Sequence, residues 1–334
     1  MRRRRISAYR GFVATPTATV VYVARDRWAQ APATLDALLA ATDPRHPIVV
    51  VDGGATPRIA RALDERASER VRVARTNRFL GSNEARNIGA EGARTEWIAF
   101  VENDVVLSDG WLDALLSAGE RLDAHSVYPA YLVNERGSGP VVHGLGCDID
   151  VYGSDGARHV REHTHCIGKP WADVRSTLQP VQRPQAEPHA IVVRRELLDR
   201  LGGVDEGLIG WFEHVDLALH HLRLSASAWL VPEVTCTYLM PPPVAASDMR
   251  GFSLRWGREL YDASLRHFCA TWGLDPASPE WQRQESYRHA VRRRALRRAG
   301  RFRGVVERAA APIDHVIAKR WNATRPRGHD RAPT

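Results

Sequence analysis

Two hydrophobic rhythms take turns along the first third of this chain. Short apolar runs at 19–24, 47–51, 71–74 and 97–101 are dominated by valine and other bulky residues, and each predicts a short buried strand. Between them, 28–41, 57–67 and 82–93 carry apolar residues at helical spacing, with Thr56 and Pro57 reading as a cap and a first-turn proline. This βαβαβαβ order predicts an α/β fold with a mostly parallel sheet and flanking helices. Ligands of such sheets sit beyond the carboxyl ends of the strands.

One more helix is predicted over 108–123, and then regularity fades. Residues 134–187 are rich in Gly, Pro, His and Asp and predict long loops with a small hairpin. A strand at 190–193 and a helix at 196–201, stopped by Gly202-Gly203, restore order. Near the carboxyl end, 284–319 reads as helical to about residue 300. Val291, Ala295, Ala299, Phe302 and Val306 form one apolar stripe there among many arginines.

Composition sharpens this outline. With 334 residues, of which 44% are hydrophobic, the chain can bury a large core. The net charge of +8 is concentrated at the two ends, at 2–5 and 288–308. Charge so placed points to an acidic surface or partner. An anionic membrane touched by the arginine-rich helix is one such partner, or the helix packs on the main domain with its arginines outward. Nucleic acid is disfavoured, because no recognition motif accompanies the charge.

The four cysteines lie far apart without a CxxC pair, which excludes a zinc ribbon or disulfide framework and predicts a reducing compartment. His159, His163, His165 and Cys166 lack a second cluster, so they predict a solvated or substrate-facing loop rather than a zinc site. The first 24 residues have a basic start and an apolar run, but Pro16 and three threonines break the run. No segment reaches the roughly 18 apolar residues needed to span a bilayer. The expected location is cytoplasmic, peripheral at most at the inner face of the membrane.

Carboxylates at predicted strand and helix ends are the candidate chemistry. The strand at 97–101 runs into Glu102-Asn103-Asp104; two carboxylates two residues apart on extended chain point the same way and suit a divalent cation such as Mn²⁺ or Mg²⁺. Asp52-Gly53-Gly54 closes the second strand. Asn83 and Arg86 stand near a helix start, where anions are favoured. Glu213 and Asp216, three apart, open another helix.

In this order the segments resemble glycosyltransferase family 2, the nucleotide-sugar-dependent enzymes of the GT-A fold, over about residues 17–240. Four pieces carry the resemblance: Val49-Val-Val-Asp52-Gly-Gly; Gly81-Ser-Asn-Glu-Ala-Arg86-Asn87-Ile-Gly89; Phe100-Val-Glu102-Asn-Asp104; and Phe212-Glu213-His-Val-Asp216-Leu. It implies an inverting transfer from a nucleoside-diphosphate sugar to a carbohydrate, lipid-linked or small-molecule hydroxyl. Asp104, with Glu102, would hold the metal; Asp52, Asn83, Arg86 and Glu102 would contact the donor; Trp211 would stack on an acceptor sugar. The implied layout is a basic tail at 1–16, a catalytic domain at 17–245 split into donor (17–123) and acceptor (124–245) halves, a helical extension at 246–320 and a disordered end at 321–334.

Besides Glu102, which stands where the family usually has Asp and could still reach the metal or the ribose, the chain departs from the family pattern in three places. Relatives usually carry Glu-Asp-x-Asp at the acceptor helix, with the second residue as base; here His214 stands in that position, so Glu213, His214 and Asp216 all remain candidates. The late metal-binding histidine of many relatives is missing from 234–243, which leaves its coordination position to water or weakens the hold. Processive members carry Gln-x-x-Arg-Trp beside membrane helices; this chain has Phe252-Ser-Leu-Arg255-Trp256 and no such helices, which favours single transfer. The first two departures keep alive a catalytically inactive GT-A scaffold that binds a nucleotide sugar or a partner, and the terminal charge keeps alive a basic adaptor.

Overall fold

Strand β1 (Ala18–Ala24) is buried at every residue and lies in the middle of a parallel sheet. The computed structural model describes residues 17–24, 26–135, 139–154, 157–239, 244–295, 315–316 and 318–320. On one side of β1 run β2 (Ile48–Gly53) and β3 (Val71–Thr76), and on the other β4 (Trp97–Glu102), all parallel. Helices α1 (Ala31–Ala41), α2 (Pro57–Asp64) and α3 (Ser82–Ala90) make the crossovers. Pro57 opens α2 after an extended Thr56, whose side chain makes no capping bond. Helix α3 lies close against β1 and β2 because Gly89 faces them; a Cβ there would collide with Val21.

Beyond β4 the sheet becomes mixed. After a short β5 (Val105–Leu107) and α4 (Trp111–Arg121), β6 (Ser126–Glu135) and β7 (Gly139–Gly144) form an antiparallel pair. The loop-rich region contains the expected hairpin, β8 (Cys147–Tyr152) with β9 (His159–Thr164), then the single turn α5 (Trp171–Val174) and a short edge strand β10 (Val181–Gln182). Strand β11 (Ala190–Arg194) enters between β4 and β6, antiparallel to both, and leads into α6 (Arg195–Leu201), which ends at a left-handed Gly202. After α7 (Glu213–Arg223), β12 (Ala228–Tyr238) returns parallel to β6. The order across the sheet is β10-β12-β6-β11-β4-β1-β2-β3, with β5 on β12 and β7 on β6.

A second apolar cluster joins α7 to the helices α8 (Met249–Trp256), α9 (Arg258–Trp272) and α10 (Pro279–Ala295). Phe212 stacks on Phe268 with centroids 5.3 Å apart, and Tyr261 Oη donates to the Trp281 carbonyl at 2.7 Å. The outward arginines expected of this region are corrected at two positions. Arg288 and Arg292 are buried, and each donates to the Trp256 carbonyl, at 3.0 and 3.1 Å. Their guanidinium groups also lie over the Tyr261 and Phe252 rings. Of the apolar stripe, Val291 is buried, while Ala299, Phe302 and Val306 fall outside the described residues, as do the tails at 1–16 and 321–334. No helix among the described residues is long and apolar enough to cross a membrane.

Candidate active site

Strand β4 ends at Glu102, and Asn103 turns the chain toward β5. The Asn103 side-chain amide donates to the Arg27 carbonyl at 2.9 Å, and its backbone carbonyl accepts from the Thr34 hydroxyl at 2.9 Å. This rigid turn fixes the acids on either side of it. Glu102 and Asp104 are both essentially inaccessible to solvent. Glu102 Oε1 accepts from Arg86 Nη2 at 2.7 Å, and Oε2 lies 2.8 Å from His189 Nδ1. Among the described residues neither oxygen of Asp104 has a hydrogen-bond partner, although both are buried; Arg27 Nη1 lies 3.4 Å from Oδ2.

An unsatisfied buried carboxylate is costly, and such groups normally coordinate metal or carry a close partner. Ligand atoms from Glu102, Asp104 and His189 lie within 4.8 Å of one another. Two carboxylates and one imidazole make a donor set suited to a divalent ion such as Mn²⁺. The residues present therefore fit the expected ion.

His189 supplies an imidazole from outside 234–243, the stretch in which no histidine stands. It precedes β11, which runs antiparallel to β4, and the Glu102 backbone N–H donates to its carbonyl at 2.9 Å. Its ring stacks on Tyr238 with centroids 4.5 Å apart. Tyr238 itself lies in the stretch beyond the acceptor helix where many relatives place their metal-binding histidine. The signal in the sequence is a histidine immediately ahead of a buried strand: periodicity finds the strand, but not its direction.

Arg86 is buried and turned toward the protein's own acids. Besides Glu102 it reaches Glu213 Oε2 at 3.2 Å and Asn83 Oδ1 at 2.7 Å through Nη1. It thus ties the end of β4 to the start of α7. Asn83 in turn donates to the Asp205 carbonyl at 2.8 Å. Asp52 is also internally engaged, accepting from the Ala55 N–H at 2.8 Å and from Arg75 Nε at 2.7 Å.

A cleft of about 490 Å³ opens beside the acids, with His143, Glu162, Glu187, His189, Trp211, Glu213 and His214 in its lining. Phe212, with φ of +66°, turns the chain into α7 in a conformation that side chains rarely adopt. Glu213 Oε1 then accepts the Gly210 N–H at 2.9 Å while Oε2 meets Arg86. His214 makes no such tie: its Nε2 stands 3.7 Å from Glu162 Oε2, and its side chain is 22% exposed. Trp211 is mainly a packing residue, edge-on to Trp256 and Tyr261, with Nε1 donating to the Arg255 carbonyl at 2.8 Å. Arg255 and Trp256 also hold Asp26, just past β1, at 3.0 and 2.9 Å.

Asp216 does not line this cleft. It accepts from Trp272 Nε1 at 2.8 Å, and burial pushes its carboxyl up to about 7. The folded-state value lies above the ordinary one near 3.8, so the native state binds the extra proton and stability falls as pH rises from about 4 to 7. Asp216→Asn keeps an acceptor for Trp272. It is expected to stabilise the protein by about 1–3 kcal/mol at pH 8 and by less than half as much at pH 5. Urea unfolding at the two pH values measures the difference, and an equal effect at both would rule out the raised carboxyl.

His163 and His165 pair across the hairpin with Asp150 and Asp148, at 2.7 and 2.8 Å. Among the described residues, the metal-type group is the one at Glu102, Asp104 and His189.

A curled mixed sheet, helices on its flanks and an acidic group at the strand ends define a glycosyltransferase-type GT-A architecture. The family model for glycosyl transferase family 2 matches residues 19–202, more than half of the chain, and the chain belongs to that family. Among solved structures, a crystal structure of GalNAc-T7 with UDP, GalNAc and Mn2+ shares the fold, with a TM-score of 0.53 and 18% identity. The match covers 83% of this chain and 55% of that one. No curated protein matches the sequence.

Proposed function

We propose that this protein is an inverting, single-transfer glycosyltransferase that moves a sugar from a nucleoside-diphosphate donor to an acceptor hydroxyl. The observation that carries the reading is Asp104, whose two buried oxygens lack hydrogen-bond partners among the described residues and lie beside Glu102 and His189. A Mn²⁺ or Mg²⁺ ion held by these three residues would neutralise charge on the departing diphosphate. The neighbouring fold that binds UDP and Mn2+ supports the same assignment. Asp52 and Asn83 are assigned to the donor side, Arg86 orients Glu102, and the cleft with Trp211 takes a carbohydrate, lipid-linked or small-molecule acceptor.

Of the three candidate bases, His214 fits the role best. Glu213 is committed to Arg86 and Gly210, and Asp216 does not line the cleft. Imidazole also has a proton affinity suited to base work near neutrality. His214→Asn is expected to lower kcat about 100-fold while leaving the metal-dependent thermal shift with donor intact. An unchanged kcat would return the role to Glu213.

The class of reaction is tested by presenting UDP, GDP, dTDP and CDP sugars with and without Mn²⁺. One donor at about 100 times its Kd is expected to add roughly 2.7 kcal/mol of stability, in the presence of the ion, and to be hydrolysed or transferred. Binding without turnover over a broad acceptor panel would favour a non-catalytic nucleotide-sugar-binding scaffold, the reading that His214 in place of an aspartate keeps open.

A further inference from the structure

We propose that Glu162, on strand β9 of the hairpin, is the positioning residue for His214, an assignment that rests on reading His214 as the base. The hairpin lies far from the acid-bearing sheet edge in sequence, yet it sends one carboxylate into the cleft. Glu162 Oε2 stands 3.7 Å from His214 Nε2, a charge-pair distance. Two glutamines hold the carboxylate: Gln185 Nε2 donates to Oε2 at 2.7 Å, and Gln284 Nε2 donates to Oε1 at 3.3 Å. Three separate elements thus fix one acid against one imidazole. Those elements are the hairpin, the segment before β11, and α10.

The location of His214 explains why such a partner is needed. It occupies the first turn of α7, where the positive end of the helix dipole disfavours a protonated side chain. A base there gains a proton only against that field. A facing carboxylate offsets the field as the imidazolium forms. It also favours the tautomer with hydrogen on Nε2, which leaves the Nδ1 lone pair free. In the transfer step the acceptor O–H bond breaks and its proton goes to Nδ1. The acceptor oxygen bonds to the anomeric carbon, and the bond from that carbon to the diphosphate oxygen breaks, its electron pair leaving with the phosphate.

Other charges face this imidazole. Glu213 precedes it on α7, but Arg86 and the Gly210 N–H take up its carboxylate. Glu187 lines the same cleft with His143 and His189; burial alone would raise its carboxyl, and the nearby His214, His189 and His143 bring it below the ordinary value. Arg255 of α8, and Glu280, Arg283 and Tyr287 of α10, also line the cleft, with Arg283 paired to Glu280. Glu162 is the carboxylate that stands within ion-pair distance of His214 among the described residues.

Glu162→Gln keeps the shape and removes the charge. In the full-length variant the ring nitrogen signals of His214, followed by NMR and identified by their absence in His214→Asn, are expected to lose the preference for hydrogen on Nε2. The kcat is expected to be about tenfold lower, with donor-induced stabilisation unchanged. An unchanged tautomer population would overturn the proposal, as would a larger change in Glu187→Gln than in Glu162→Gln. A changed tautomer population in a protein that transfers no sugar would retain the pairing and discard the base reading, and with it the catalytic part of Glu162.

Discussion

Asp104→Asn is expected to reduce metal-dependent transfer by about three orders of magnitude, because a divalent ion at the diphosphate contributes several kcal/mol of charge stabilisation. Asparagine has nearly the shape of aspartate, so the turn built by Asn103 has no reason to move. The change is electrostatic. Among the described residues, Asp104 is unusual for a buried acid in having no hydrogen bond to either oxygen, whereas Glu102 already accepts from Arg86 and contacts His189. Beyond the Arg27 guanidinium 3.4 Å from Oδ2, the charge on Asp104 is therefore open to an incoming cation. Manganese titration by calorimetry, alongside donor turnover, measures both consequences. If Asp104→Asn binds Mn²⁺ as tightly as the parent protein and retains its turnover, the ion is held elsewhere and the site assignment fails.

His189→Ala separates the two carboxylates from the imidazole in the same experiment, and its place in the molecule marks the limit of what local sequence pattern conveys. Strands β1 to β4 and their crossovers are written in local patterns: valine runs, helical spacing, a proline at the start of α2. Position along a parallel sheet follows from that order, so the pattern alone puts Asp52 and the Glu102-Asp104 pair at one sheet edge. His189, Glu162 and the inward turn of Arg86 are of another kind. Each depends on contact between distant segments: Arg86 and Glu213 are 127 residues apart along the chain, and Glu102 and His189 are 87 apart. Such contacts require the direction of β11 and the pose of α7, which no periodicity encodes. The same limit explains Arg288 and Arg292. An arginine-dense helix reads as solvated, but two of its guanidinium groups find the Trp256 carbonyl and aromatic faces.

Replacing Arg86 by methionine is expected to produce the largest loss of stability, about 3–5 kcal/mol, because it strands two buried carboxylates that shared one cation. Glu102 would keep His189, and Glu213 would keep the Gly210 N–H, but neither of these supplies a permanent positive charge. Urea unfolding of the variant and the parent protein measures the loss, and a deficit under about 1 kcal/mol would mean that the shared cation is not what holds the two acids. The Arg86→Met, Glu213→Gln double variant leaves one stranded acid rather than two, and it should recover part of the stability; failure to recover any would mean that Arg86 and Glu213 are not energetically coupled. Activity is not expected to return with that stability, since Glu102 would still lack the guanidinium that fixes its carboxylate beside Asp104.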